Sequence, residues 1–188
     1  MFLLFGLCFF AQANLRSEGS LENNDATRFN KLCNSLERSV FVQSTNSCLQ
    51  DHKQIKRSWT KSFQFCQTNS DILTSAHGYK IRGRLPQINV PEIDVKLRIA
   101  LPVRSKRVRW LAGQSVPSNK EVHNWKWFDA PTQSSQLQFW PGWKPNLVFF
   151  RNRADLNCLV VGRGYRFNHY MNFNCDHAYS TLCEYYLD

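Results

Sequence analysis

Residues 140 to 158, WPGWKPNLVFFRNRADLNC, concentrate the side chains of this sequence best suited to holding a ligand. Trp140 and Trp143 flank a Pro-Gly turn, and Pro145 follows inside Lys144-Pro145-Asn146, which excludes a regular helix or a central strand and leaves a loop. From Lys144 to Arg166 the basic residues are Lys144, Arg151, Arg153, Arg163 and Arg166, against Asp155 alone, so the loop region is cationic. That chemistry suits an anionic or sugar ligand. Guanidinium forks match sulfate and carboxylate oxygens, and Trp143, Phe149, Phe150 or Tyr165 could stack on the apolar face of a pyranose. With 14 Phe, six Trp and six Tyr in the chain, core packing is nevertheless the default role of any one aromatic residue. Paired carboxylates, a nucleophile elbow, a phosphate-cradling glycine loop and zinc-protease spacing are all missing, and the five histidines are scattered. The pattern is that of a binding module, not of an enzyme.

A second basic segment lies earlier. Between residues 80 and 109, Lys80, Arg82, Arg84, Lys96, Arg98, Arg104, Lys106, Arg107 and Arg109 face only Glu92 and Asp94, a local charge of +7. Arg104, Lys106, Arg107 and Arg109 form a candidate polyanion-contacting patch; the plainer alternative is a set of charges that keeps an exposed segment soluble. Arg104-Ser105-Lys106-Arg107 also resembles a cleavage site for secretory-pathway processing proteases. The whole chain has a formal net charge of +10, which favours anionic partners such as sulfated glycans or acidic lipids without choosing among them.

Met1 to Ala13 has an apolar stretch ending in Ala11-Gln12-Ala13, the pattern of a signal peptide, and is too short to span a bilayer. No later apolar run is long enough to anchor the chain, so a secreted protein is expected. Of seven cysteines, Cys8 would leave with the signal peptide; Cys33, Cys48, Cys66, Cys158, Cys175 and Cys183 remain, and an even number in an oxidising compartment argues for three disulfides whose pairing the count leaves open. No C-x-x-C or H-x-x-x-H spacing supports a zinc site.

The elements that must position the loops follow in order. Polar residues from Asn14 on read as a mobile tail reaching to 32. Val40-Phe41-Val42 is a strand, and Cys33 and Cys48 flank it. Ser58 can cap a helix that buries Trp59, Phe63 and Cys66 and turns Lys61 and Gln64 to water. Gln67 to Gly83 shows no period, and its His77 reads as a solvated loop residue. Asn89 and Glu92 have capping-box spacing for a second helix with Pro91 in its first turn and Ile93, Leu97, Ala100 and Leu101 inward, stopped by Pro102. Gly162-Arg163-Gly164 reads as a hairpin turn.

Taken in order, Trp59-x-x-x-Phe63-x-x-Cys66, Arg84-Leu85-Pro86-Gln87-Ile88-Asn89, Trp110-Leu111-Ala112-Gly113, Trp125-Lys126-Trp127-Phe128-Asp129, Trp140-Pro-Gly-Trp-Lys-Pro-Asn146, Asn157-Cys158-Leu159 and Leu182-Cys183-Glu184 resemble the motifs of the C-type lectin-like domain family, over about four-fifths of the chain. The resemblance implies an α+β fold, two helices flanking small antiparallel sheets with a long ligand-binding loop region, stapled by disulfides. It places a signal peptide at 1–13, a flexible tail at 14–32 and the domain at 33–188. It implies disulfides Cys66 to Cys183 and Cys158 to Cys175, with Cys33 to Cys48 as the amino-terminal hairpin of the long form, and a cis bond before Pro145. The family's calcium-ligating positions correspond to Lys144, Asn146, Leu156, Met171 and Asn172, where an ammonium, a Leu and Met-Asn stand in place of the expected acids. The expectation is therefore a secreted domain that binds a carbohydrate or polyanionic glycan through Trp143, Lys144, Asn146, Arg151, Arg153 and Asn172. Calcium is not expected as a cofactor at the usual sugar-bridging site, and neither nucleic acid nor a membrane span is expected. The alternative partner is a protein, bound by the same loops.

Overall fold

The computed structural model describes residues 24–101, 108–116, 124–130, 133–136, 157–163 and 168–188. A helix α1 at 24–35 leads into β1 (Ser39–Val42), a short 3-10 turn (Gln43–Thr45), β2 (Ser47–Arg57), α2 (Trp59–His77), β3 (Ile81–Arg84) and α3 (Pro91–Ala100). Six more strands follow: β4 (Arg109–Val116), β5 (Asn124–Ala130), β6 (Gln133–Gln136), β7 (Cys158–Arg163), β8 (Asn168–Phe173) and β9 (Tyr179–Leu187). The strands form two antiparallel groups. In one, β9 lies between β2 and β3, with β1 outside β2. In the other, β4 lies between β5 and β7, with β6 and β8 beyond them. They join where Arg109 of β4 pairs in parallel with Ser180 of β9. The class is α+β, as the resemblance implies, with three helices where two were expected.

The additional helix lies in what reads as tail. Among polar residues α1 presents only Phe29, Leu32 and Cys33 to the core, a stripe too sparse to show a period. Its partners are distant in sequence: Phe29 packs edge-on against Phe41 at 6.2 Å and Tyr79 at 6.4 Å. Burying a Phe side chain is worth about 1.5–3 kcal/mol, so the domain begins before residue 33.

Helix α2 starts after Ser58 and buries Trp59, Phe63 and Cys66 as its spacing predicts, although the Ser58 side chain makes no capping bond. It then continues through the aperiodic stretch to His77 and stops at Gly78, whose φ of 76° closes the helix in the left-handed region. The apolar signal fades for a steric reason. Beyond Cys66 the buried position is Ser70, because β3 crosses there at Gly83, where a Cβ would overlap the Cys66 carbonyl and lie 2.9 Å from the Ser70 Cβ. Thr74 then ties the helix to β3, its Oγ1 donating to the Ile81 carbonyl and accepting from the Ile81 N–H. His77 is exposed in the last helical turn.

In α3, Ile93 and Leu97 are buried, followed by Leu101, with Ala100 half-buried. The capping box does not form: Val90 is the N-cap residue and makes no side-chain bond. Glu92 instead accepts the N–H groups of Gln43 at 3.0 Å and Ser44 at 2.8 Å, so its carboxylate satisfies the orphan donors of the 3-10 turn rather than those of its own helix. The bonds from Ser44 hold its carboxyl below the usual range. Two indoles bolt α2 and β4 to the sheet: Trp59 Nε1 donates to the Leu111 carbonyl and Trp110 Nε1 to that of Arg57, both at 2.8 Å.

The disulfides are Cys33–Cys48, Cys66–Cys183 and Cys158–Cys175, the pairing the resemblance implies. The second closes a loop of 117 residues, for which chain entropy gives up to roughly 5 kcal/mol. No helix among the described residues is long and apolar enough to cross a membrane.

Replacing Gly83 with alanine is expected to cost about 2–3 kcal/mol, because the added methyl meets backbone that cannot swing aside. Urea unfolding of Gly83→Ala against wild type measures this, and Gly78→Ala, where no atom lies within 4 Å of the added Cβ, gives the cost of positive φ alone.

Candidate functional site

Of the predicted ligand-binding residues, the described one, Asn172, lies on the hairpin β7–β8. Cys158, Leu159, Val160, Val161, Gly162 and Arg163 pair in register with Phe173, Asn172, Met171, Tyr170, His169 and Asn168. Gly162 and Arg163, expected in a turn, thus belong to the ladder, and Gly164 lies outside the described residues. Cross-strand partners share a face. Asn172 lies with Leu159, Val161 and Tyr170 on a buried side and is 3% exposed, while Met171 on the other face is half-buried. Tyr170 reaches across to α3 and donates its hydroxyl to Asp94. Of the six predicted loop residues, Asn172 alone is described; Trp143, Lys144, Asn146, Arg151 and Arg153 lie outside the described residues, as does the bond before Pro145.

One member of the second predicted cluster is corrected by tertiary pairing. Arg109 is 1% exposed: its Nε and Nη2 donate to the two oxygens of Asp51 at 3.0 and 2.9 Å. It cannot belong to a surface patch. Arg104, Lys106 and Arg107 fall outside the described residues. Three more cations of the segment meet acids that it does not contain, and two meet acids within it. Lys80 and Arg82 pair with Asp188, and Arg84 with both Glu184 and Asp129. Gln87 completes that cluster, its Nε2 donating to Asp129 at 2.7 Å. Lys96 and Arg98 pair with Glu92 and Asp94 one turn away on α3. Asp51 carries a second neighbour, Arg38, at 3.6 Å.

No family model matches the chain, and no curated protein matches it in sequence. Solved structures do. The C-type lectin CEL-I from Cucumaria echinata superposes with a TM-score of 0.54 at 11% identity, over 81% of this chain and 98% of that one. The carbohydrate-recognition domain of the mouse scavenger receptor C-type lectin gives 0.53 at 16%, over 79% and 95%. The herring type II antifreeze protein gives 0.52 at 15%, over 81% and 98%. The chain has the C-type lectin-like fold. A lectin, a receptor domain and an antifreeze protein share it, so the C-type lectin-like fold does not by itself choose a ligand.

Within this C-type lectin-like fold, one polar network that sequence reasoning missed lies between β2, β9 and α2. His52 Nε2 lies 3.2 Å from the Tyr185 hydroxyl, which accepts from Asn69 Nδ2 at 2.6 Å, and the imidazole packs edge-on against Phe65 at 4.9 Å. Burial lowers the His52 pKa from 6.5, outweighing the opposite pull of Asp51. A lone His in a strand carries no sequence signal for such a role.

Two stability predictions follow from these contacts. Asp51→Asn alone should cost about 3–5 kcal/mol, since it removes the carboxylate that both Nε and Nη2 of the buried Arg109 donate to, whereas Asp51→Leu with Arg109→Met should recover much of the loss; urea unfolding of the single and double variants measures both. For His52, the unfolded state takes up the proton at higher pH than the folded state. Its contribution is therefore full above pH 6.5 and is lost as pH falls below it. Unfolding free energies measured from pH 8 to pH 5 should fall less steeply in His52→Asn than in wild type.

Proposed function

We propose that the protein is a secreted, non-enzymatic lectin-like module that binds a carbohydrate or polyanionic glycan through its loop region, without calcium at the family's sugar-bridging site. The observation that carries this reading is the chemistry of β7–β8 and the stretch leading to it. From Lys144 to Phe173 the only carboxylate is Asp155, against five basic residues. The hairpin itself supplies Met171 and the buried amide of Asn172 where the family has Asn-Asp. Calcium takes six to eight hard oxygens, normally including carboxylates. The set Lys144, Asn146, Leu156, Met171 and Asn172 offers two neutral amides and one positive charge and does not fit the ion. An ammonium about 4 Å from a divalent cation is unfavourable by roughly 8 kcal/mol at an effective dielectric of about 20. Lys144 would instead occupy the cation's role and donate to an anionic ligand oxygen.

Three disulfides support an extracellular setting. A carbohydrate-recognition domain and a lectin among the matched structures support a glycan as the ligand class.

Glycan-array binding by wild-type protein is expected to persist unchanged in EDTA. Lys144→Glu should weaken anionic-glycan binding without creating calcium dependence, because Leu156 and Met171 still lack ligating oxygens. Calorimetric titration of wild type with calcium showing tight binding, or array signals abolished by EDTA, would overturn the reading.

A further inference from the structure

The ion pairs that engage the described cations of the 80–109 segment leave a different set of cations unpaired. Among basic residues with described side chains, Arg28, Arg38, Lys80, Arg82, Arg84, Lys96, Arg98 and Arg109 each pair with a carboxylate. Lys31, Lys53, Lys56, Arg57, Lys61 and Lys126 have no carboxylate partner among the described residues. Four of these six fall within residues 53–61, and from 52 to 70 the sequence has no Asp or Glu.

The four lie on the second half of β2 and the first turn of α2, with Arg57 and Lys61 next to Phe65. Strand β2 is interrupted after His52, which pairs with Thr181, and resumes at Lys56, which pairs with Ser180, so Lys53, Gln54 and Ile55 bulge out. The bulge is pinned by Ser180 Oγ donating to the Lys53 carbonyl at 3.1 Å. Arg57, its carbonyl held by Trp110, lays its guanidinium over the Phe65 ring at 4.5 Å. Lys61 stands one turn before Phe65 on the same face of α2. Lys56 and Lys61 are exposed, Lys53 and Arg57 half-buried.

We propose that this surface, Lys53, Lys56, Arg57 and Lys61 on the β2 bulge and the first turns of α2, is a docking site for a sulfated glycan chain. It shares a ligand class with the proposed function but is built from residues other than the predicted loop set. The anchored backbone carries four cations within nine residues, and none of them is in an ion pair among the described residues although Lys53 shares a cavity with Glu37 and Asp51, so an extended polyanion can supply counter-charge. The Arg57 fork is already oriented by its ring contact, as bidentate sulfate recognition requires. A lipid surface fits less well, because the exposed large apolar side chains Ile72, Val95 and Ile99 are not among these residues and the one apolar residue of the bulge, Ile55, is half-buried. Single-stranded nucleic acid also fits less well, since Phe65 is covered by Arg57 and met by His52 and offers no open face for stacking.

The test is a titration of full-length protein with a fluorescent heparin oligosaccharide across a salt series. It compares wild type with Lys53→Ser/Lys56→Ser/Lys61→Ser, with the control Lys31→Ser/Lys126→Ser, and with the loop variant Lys144→Ser/Arg151→Ser/Arg153→Ser. Arg57 is left in place so that its packing on Phe65 survives, and non-reducing peptide mapping verifies the three disulfides. The 53/56/61 variant should bind about tenfold more weakly near 0.15 M salt and show a shallower salt dependence, while the 31/126 control stays within about twofold. Unchanged binding by the 53/56/61 variant, an equal loss in the control, or no heparin binding by wild type would overturn the proposal. Capture by phosphatidylserine vesicles that is lost in the 53/56/61 variant while heparin binding is unchanged would assign the surface to membranes and overturn it too. If the loop variant alone binds like wild type, the loop reading fails and this one stands.

Discussion

Everything in this domain waits on β9. The strand is residues 179–187, at the end of the chain, yet it lies between β2 and β3 and meets β4 at Ser180. Its Cys183 is bonded to α2 across 117 residues, its Glu184 accepts from Arg84, and its Tyr185 hydroxyl joins Asn69 and His52. Pairings of such sequence separation cost loop-closure entropy before they return any contact energy. A covalent tie at Cys66–Cys183 removes much of that cost from every later encounter.

The charged residues obey the same constraint. Strands β2 and β4 bring Asp51 and Arg109 into the interior, where neither charge is tolerable alone and the bidentate geometry supplies what water would have given. Around β3, Arg84 gathers Glu184 and Asp129 from two other strands while stacking at 4.7 Å on Tyr186. These ion pairs consume most of the basic character visible in the 80–109 segment. What remains uncompensated among the described residues is concentrated near α2, a face that composition alone did not single out.

The fold supplies a frame in β4, β7 and β8, stapled by Cys158–Cys175. Met171 and Asn172 pair within that frame opposite Val160 and Leu159, so the ladder is compatible with a thioether and an amide at these positions. That separation of scaffold from site is why a shared fold at 11–16% identity is informative about architecture and not about ligand.

The sequence by itself determined the even set of six cysteines, the buried spacing of Trp59, Phe63 and Cys66, and the inward face of α3. Such features were legible because they are local: helical periodicity and residue chemistry depend on near neighbours. The second half of α2 was not legible, since its inward residue is Ser70, chosen to admit Gly83 rather than to be apolar. Nor was α1, whose few apolar residues have meaning only against Phe41 and Tyr79. Glu92 shows the same division at one residue: its spacing suggests a cap for its own helix, and the fold gives its carboxylate to the Gln43–Thr45 turn instead. Which cations stay free was decided only in three dimensions, because a counting window along the chain cannot see that Asp51, Asp129, Glu184 and Asp188 arrive from elsewhere to meet them.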